Sequence, residues 1–398
     1  MHFPASHNLM SICLLTMLIG INLRPSMAAI GPVVESIQND VPLSFIQVSL
    51  LTTLPVIAMG LGCFANGVIV RRMGMSGVIT LALITIAASD ALHWAGLGFV
   101  GLWVAALGAG MGIAFIQATL PGFIKHVAGD KTALVMGVYV ASIMAGAALA
   151  ASLTPVINHF LSWQTGLAAW CLVALVALYF WLRRDQTLST PSQAENKQLS
   201  FDEIVRIPRF WTLAIFFGLG TAGYTCLLAW LPPTFSGLGW PPARAGFMLS
   251  WLSAVEVVAA LTFPALSHRM GDRRPVLILV LMLSIVGFVL LSQWPIQTAW
   301  LSTTLLGLGI GGLFPMSLII TMDHIDNPVA AGQLTAWVQG IGYLIASISP
   351  FVAGAMKDVL GGFDQAWLLL GVIFTGLVFM SLQFNRAGMT RHMNAVTV

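Results

Sequence analysis

The chain has 398 residues, 58% of them hydrophobic and 8% charged, with a mean hydropathy of +0.91. Soluble domains are roughly a quarter charged, because water-facing surface needs charge for solvation while lipid-facing surface is destabilised by it. A soluble globule is therefore excluded, and the net charge of +3 is no sign of a nucleic-acid partner. The expected partners are the lipid bilayer and a small molecule.

A bilayer core of about 30 Å asks for roughly 20 apolar residues per helix. Six segments of that kind occupy residues 9–34, 45–70, 77–97, 98–121, 133–157 and 163–182. Six more occupy 210–232, 245–266, 275–294, 299–322, 329–355 and 365–384. The expected fold class is thus an all-α membrane protein with twelve transmembrane helices. The first apolar stretch runs past the length of a signal-peptide core, so it is expected to be kept as a span. Cys13, Cys63, Cys171 and Cys226 fall inside apolar runs at no metal-ligand spacing and read as small apolar side chains.

Lys and Arg resist translocation and collect on the cytoplasmic side. With the N-terminus inside, the inner loops and tail hold Arg71, Arg72, Lys125, Lys131, Arg183, Arg184, Lys197, Arg206, Arg209, Arg269, Arg273, Arg274, Arg386 and Arg391, whereas the outer loops hold Arg244 and Lys357. Both termini are expected in the cytoplasm.

The two halves repeat one another. Gly108 to Gly112 in span 4 matches Gly307 to Gly311 in span 10, Arg72-Met-Gly74 matches Arg269-Met-Gly271, Pro32 matches Pro232, and Ala151 to Pro155 matches Ala346 to Pro350. Four registers in chain order, each displaced by close to half the chain, indicate an internal duplication of six helices. The polar stretch between them divides the chain into a bundle at 1–182, a linker at 183–209 and a bundle at 210–398.

Twelve spans, a six-plus-six repeat and a basic turn after spans 2 and 8 resemble the major facilitator superfamily, and the fold expected from that resemblance is two pseudo-repeated six-helix bundles. The family's loop 2–3 signature is matched at Gly67, Arg72 and Gly74, with Arg71 in place of its acid. The second copy keeps Arg269, Gly271 and Arg273. The resemblance implies that these six residues latch a cytoplasmic gate and do not touch substrate.

An ionisable side chain in mid-bilayer costs roughly 2.5–3.5 kcal/mol on insertion scales, so it faces a cavity and has a use. Arg24 in span 1 and Glu256 in span 8 qualify. Arg24 precedes Pro25, which removes a backbone donor and disfavours helix in the residue before it. A break beside a charge marks a substrate site, set against the plainer reading of a structural arginine at a helix end. Glu256 reads as a proton-coupling candidate released when an anion binds Arg24, or as a static counter-ion to it. Tyr224, the pseudo-symmetric partner of Arg24, is a cavity candidate, as are Gln117, Gln339 and Tyr343, whose polar groups need partners in lipid. Helix packing accounts for these almost as well. Asn22 is placed to orient Arg24, and Trp337 either lines the cavity or fills it. Asp90 and His93, at i, i+3 near the outer end of span 3, read as an interfacial cap in preference to a proton relay. The glycine runs of spans 4 and 10 read as close helix packing. The sequence offers no metal-ligand spacing, phosphate loop or nucleophile elbow, so no enzyme, no cofactor and no metal is expected.

Within the superfamily, the elements Gly20-Ile-Asn-Leu-Arg-Pro25, Leu51 to Pro55, Ile116 to Pro121, Ala229 to Pro232 and Gln339 to Tyr343 resemble the bacterial cyanate porter family. That resemblance implies a monomeric inner-membrane carrier. It points to symport uptake of cyanate or a similar small anion, or alternatively to proton-driven export of a nitroimidazole-like heteroaromatic with Tyr224, Trp337 and Tyr343 stacking on its ring. The physical reading agrees on the anion, since a buried guanidinium presents five donors in a planar fork.

Overall fold

A computed structural model describes residues 9–128, 131–184, 201–270, 272–324 and 328–384. Among these, helices account for nearly everything. They are α1 (Leu9–Ile21), α2 (Pro25–Ala28), α3 (Val34–Asp40), α4 (Phe45–Ala91), α5 (Gly98–Ala128), α6 (Thr132–Phe160), α7 (Trp163–Ala168), α8 (Trp170–Arg183), α9 (Phe201–Val205), α10 (Pro208–Gly237), α11 (Pro242–Met270), α12 (Arg274–Gln293), α13 (Ala299–Met322), α14 (Pro328–Ala346), α15 (Ile348–Leu360) and α16 (Asp364–Ser381). In lipid every backbone amide has to be satisfied within the chain, and a helix does that locally.

Helix starts follow local chemistry. Ser44 and Gln47 form a reciprocal capping box at the head of α4. Pro208, Pro242, Pro275 and Pro328 open α10, α11, α12 and α14, at positions where a missing N–H costs nothing.

Eleven described helical stretches are long and apolar enough to cross a membrane. One of them, Ile46–Ala95, has 50 residues, which is about 75 Å of helix and more than two bilayer cores. It is two crossings joined at Gly74, whose φ of 70° and ψ of 165° reverse the chain. That conformation is open to glycine and strained for any residue with a Cβ. The crossings therefore number twelve, and the glycine of the loop signature has a backbone reason to be there.

Span 1 is not one helix. α1 stops at Ile21, residues 22–24 turn, and Arg24 becomes the N-cap of the short α2, with Pro25 at its first position. A 3₁₀ turn at Gly31–Val33 and then α3 complete the crossing. In span 11, α14 and α15 meet at Ser347, whose dihedrals remain helical and whose amide still donates to the Tyr343 carbonyl at 2.9 Å, so that crossing is not broken as span 1 is.

The first six crossings meet the last six along two seams. α6 runs against α11, and α4 runs against α14 and α15. The first seam is hydrogen-bonded: Ser152 Oγ donates to Ser250 Oγ at 2.5 Å and Ser250 Oγ donates to the Ala148 carbonyl at 2.8 Å. The second is closed at one end by the Ile46 amide, which donates to Asp358 Oδ2 at 3.1 Å.

At the basic end of the bundle, Arg273 pairs with Asp323 at 3.0 Å and donates to Ser267 Oγ at 3.1 Å. It thus ties together α11, α12 and α13 of its own half. Arg274 pairs with Asp272 at 2.8 Å, and its hydrogen bonds hold the Asp272 carboxyl below the usual carboxylate range. Arg72 is exposed, and no other side chain lies within 4 Å of the position a Cβ on Gly67 would take. The expected gate residue Gly271 lies outside the described residues, as does most of the linker, residues 185–200.

Candidate substrate site

The break in span 1 carries Arg24 to the middle of the molecule, where it is 2% exposed. Its carbonyl accepts from the Met27 and Ala28 amides at 3.0 and 2.9 Å, so the chain re-enters helix immediately after it. Asn22 is buried, and its Nδ2 donates to the Leu18 carbonyl at 2.6 Å. That bond occupies a carbonyl at the frayed end of α1. Asn22 therefore secures the break from which Arg24 projects.

The guanidinium lies over the ring of Tyr224 on α10, with its carbon 5.0 Å from the centroid. Arginine and tyrosine come from opposite halves, so this cation–π contact crosses the interface between them. Nη1 points to Met27 Sδ at 3.9 Å, while Nε is buried without a hydrogen-bond partner among the described residues. The Tyr224 hydroxyl is likewise buried and unpartnered. Buried polar groups are normally bonded, so a cluster of orphans at the centre of a bundle points to a ligand position.

Glu256 on α11 is 1% exposed, and both of its carboxyl oxygens lack a partner among the described residues. It is held there from behind by Gly311 on α13. A Cβ on that glycine would sit 2.5 Å from Glu256 Cα, a distance real Cβ atoms do not adopt. Arg24, Tyr224, Glu256 and Gly311, with Val140 and Met144 of α6, line one cavity. It has about 20 Å³ of space for the centres of water-sized spheres, room for little more than one water.

Arg24 and Glu256 share this cavity without forming an ion pair within 4 Å among the described residues. The guanidinium rests on an aromatic face, and the carboxyl lies within its electrostatic reach but not in direct contact with it.

Tyr343 of α14 brings its hydroxyl beside Arg24. It reaches Gln117 Oε1 of α5 at 3.4 Å and Gln339 Oε1 at 3.5 Å. These long contacts gather Gln117, Gln339 and Tyr343 on a second side of the arginine.

Trp337 goes elsewhere. Its ring meets Phe201 of α9 edge-on at 5.3 Å, and Phe201 meets Phe64 of α4 at 5.6 Å. It is not among the residues lining the Arg24 cavity, so it serves an aromatic seal between α4, α9 and α14.

One site residue was missed. Tyr139 of α6 packs beside Gly20, its hydroxyl is buried and unpartnered, and it lies within electrostatic reach of Arg24 and Tyr343. The chain has four tyrosines, and Tyr139, Tyr224 and Tyr343 converge on one guanidinium. Their scarcity in so apolar a chain was the available signal.

A larger groove of about 190 Å³ lies away from this centre, lined by Asp40, His93, Trp163 and Gln164 among others. Asp40 there accepts from Trp163 Nε1 at 2.7 Å, and His93 Nδ1 bonds the Asp90 carbonyl at 2.9 Å. These contacts suit a cap at a span end. No group of metal-ligating side chains occurs among the described residues.

The fold and the central site together define a membrane carrier. The Major Facilitator Superfamily sequence model matches residues 12–350 and 223–388, and the chain belongs to that family. Over 380 residues it is 34% identical to the cyanate transport protein CynX of Escherichia coli (strain K12), covering 93% of this chain and 96% of that one. It is 28% identical over 364 residues to the 2-nitroimidazole transporter of the same organism, covering 91% of each. Among solved structures, the crystal structure of a D-xylose-proton symporter superposes with a TM-score of 0.77 at 17% identity, covering 96% of this chain and all of the other. At that identity the likeness concerns the fold. The chain is accordingly a multi-pass membrane transporter of a small solute, and its relatives are transporters, not enzymes.

Proposed function

We propose that the chain carries a small anion such as cyanate into the cell by alternating access, as a monomer in the bacterial inner membrane with both termini in the cytoplasm. The observation that carries this reading is Arg24: a buried guanidinium with an unpartnered Nε, beside a cavity with room for about one water. Such a site rewards a compact anion that takes two donors of the planar fork. Tyr224 holds the guanidinium from one side, and the Tyr139 and Tyr343 hydroxyls supply further donors. Gln117 and Gln339 orient Tyr343. The 34% identity to a cyanate transport protein supports the same substrate class.

The test is counterflow of radiolabelled cyanate in proteoliposomes. The Arg24→Ala variant is expected to lose at least 100-fold in affinity, which corresponds to about 2.7 kcal/mol and to the charge-assisted contacts of one guanidinium. Arg24→Lys keeps the charge without the fork and is expected to fall between the two. Wild-type counterflow that tolerates Arg24→Ala would remove the arginine from the site.

A second reading, export of a nitroimidazole-like heteroaromatic, is favoured by an apolar slot adjoining Tyr224 and lined by Phe217, Leu313 and Phe314. It predicts counterflow with 2-nitroimidazole in place of cyanate.

A further inference from the structure

Resting on the small-anion reading of Arg24, we infer that Glu256 takes up one proton for each anion bound, so that the loaded and the empty carrier are both electrically neutral when occluded. The argument is a charge balance in one buried cavity. Arg24 and Glu256 line it together, each 2% exposed or less, with no ion pair between them.

The elements packed around Glu256 present few other ionisable groups. α6 offers Tyr139, α10 offers Tyr224, and Tyr343 of α14 lies beyond them. α12 between Pro275 and Gln293, and α13 throughout, contain no charged residue. Arg24 is therefore the single cation facing the carboxyl among the described residues.

Four occupancies are possible. With neither ligand, Arg24 is positive and Glu256 negative, and the sum is zero. With anion and proton, the anion offsets Arg24 and Glu256 is a neutral acid, and the sum is again zero. Anion alone leaves one net negative charge in a site sealed from water, and proton alone leaves one net positive charge. An unbalanced charge away from water is costly, so the singly loaded forms are the ones that do not pass through occlusion. The absence of a direct pair is what lets Glu256 titrate without first breaking a contact to Arg24. Its two unpartnered oxygens accept the proton, which arrives from bulk water on the side to which the site opens. The carboxyl returns the proton on the other side as the anion leaves.

Two measurements on reconstituted wild-type protein test this, with the flux of protein-free vesicles subtracted. A gradient of one pH unit, alkaline inside, is expected to drive about tenfold accumulation of labelled cyanate, the ratio a one-to-one coupling sets. A potassium diffusion potential of 100 mV, negative inside, is expected to change the accumulation less than twofold. An uncoupled anion would be disfavoured about 50-fold by that potential, the equivalent of 2.3 kcal/mol. Uptake that follows voltage and ignores the pH gradient overturns the inference while leaving the anion site standing. Wild-type protein with no cyanate counterflow overturns both.

Glu256→Gln supplies an independent arm. Its empty site keeps an unbalanced guanidinium while its loaded site is neutral, so exchange of internal for external cyanate is expected to persist within about tenfold, and net uptake driven by the pH gradient to vanish. Retention of pH-driven net uptake in Glu256→Gln removes the carboxyl from the coupling.

Discussion

Spans 1 and 7 occupy equivalent places in the two halves, and they solve the same packing problem differently. Span 1 breaks at Pro25 into α1, α2, a 3₁₀ turn and α3. Span 7 runs as the single helix α10 for 30 residues, through both Pro232 and Pro233. It is also the most buried crossing, with 83% of its apolar window inside the protein against 61% for span 1. Packed on most sides, α10 stays helical through its prolines, and this buried helix makes a platform for Tyr224. The broken helix instead frees backbone around a charge and lets Arg24 project onto that platform. The lesson is that a proline alone does not break a transmembrane helix. It does so here where the preceding helix has already ended, its last turn held by Asn22, whose side chain takes up the Leu18 carbonyl.

Substitutions in the two spans sharpen this contrast. The largest effect within the pair is expected from Tyr224→Leu, which removes the aromatic face beneath the guanidinium. A desolvated cation–π contact is worth about 1–2 kcal/mol, so cyanate affinity measured by counterflow should drop about 5–30-fold. Tyr224→Phe, which keeps the ring, should recover most of it. Equal losses in both variants would mean that the hydroxyl, not the face, matters.

Pro25→Ala comes next. Restoring the missing donor favours continuation of α1 through Arg24 by about 1 kcal/mol, which turns the guanidinium away from Tyr224. A rise in KM of about fivefold is expected with thermal stability unchanged or improved, a split that simple destabilisation does not produce.

The smallest effect belongs to Pro232→Ala. α10 is already helical there, so transport should change less than twofold, and a larger loss would show that the two spans are more alike than their backbones suggest.

Much of this architecture was legible in the residues. Lipid selects each crossing by its own apolar length, so twelve spans were readable one at a time. The break at Pro25 was readable because proline acts on its immediate neighbours. Arg24 and Glu256 stood out because a charge in a hydrophobic run is rare and expensive. Gly74 was flagged as part of a loop motif, but the need for glycine there became plain only from its positive φ.

What the sequence by itself determined is therefore the local part: which segments are helical, where span 1 fails, and which two charges have to be inside. Only the tertiary structure decided how separate helices meet. It drew Tyr139 in from α6, sent Trp337 off to Phe201, and placed Arg24 on Tyr224 instead of against Glu256. The physical reason is that hydropathy and proline act through sequence neighbours, whereas the partner of a buried side chain is set by the rotation and register of helices far apart in the chain.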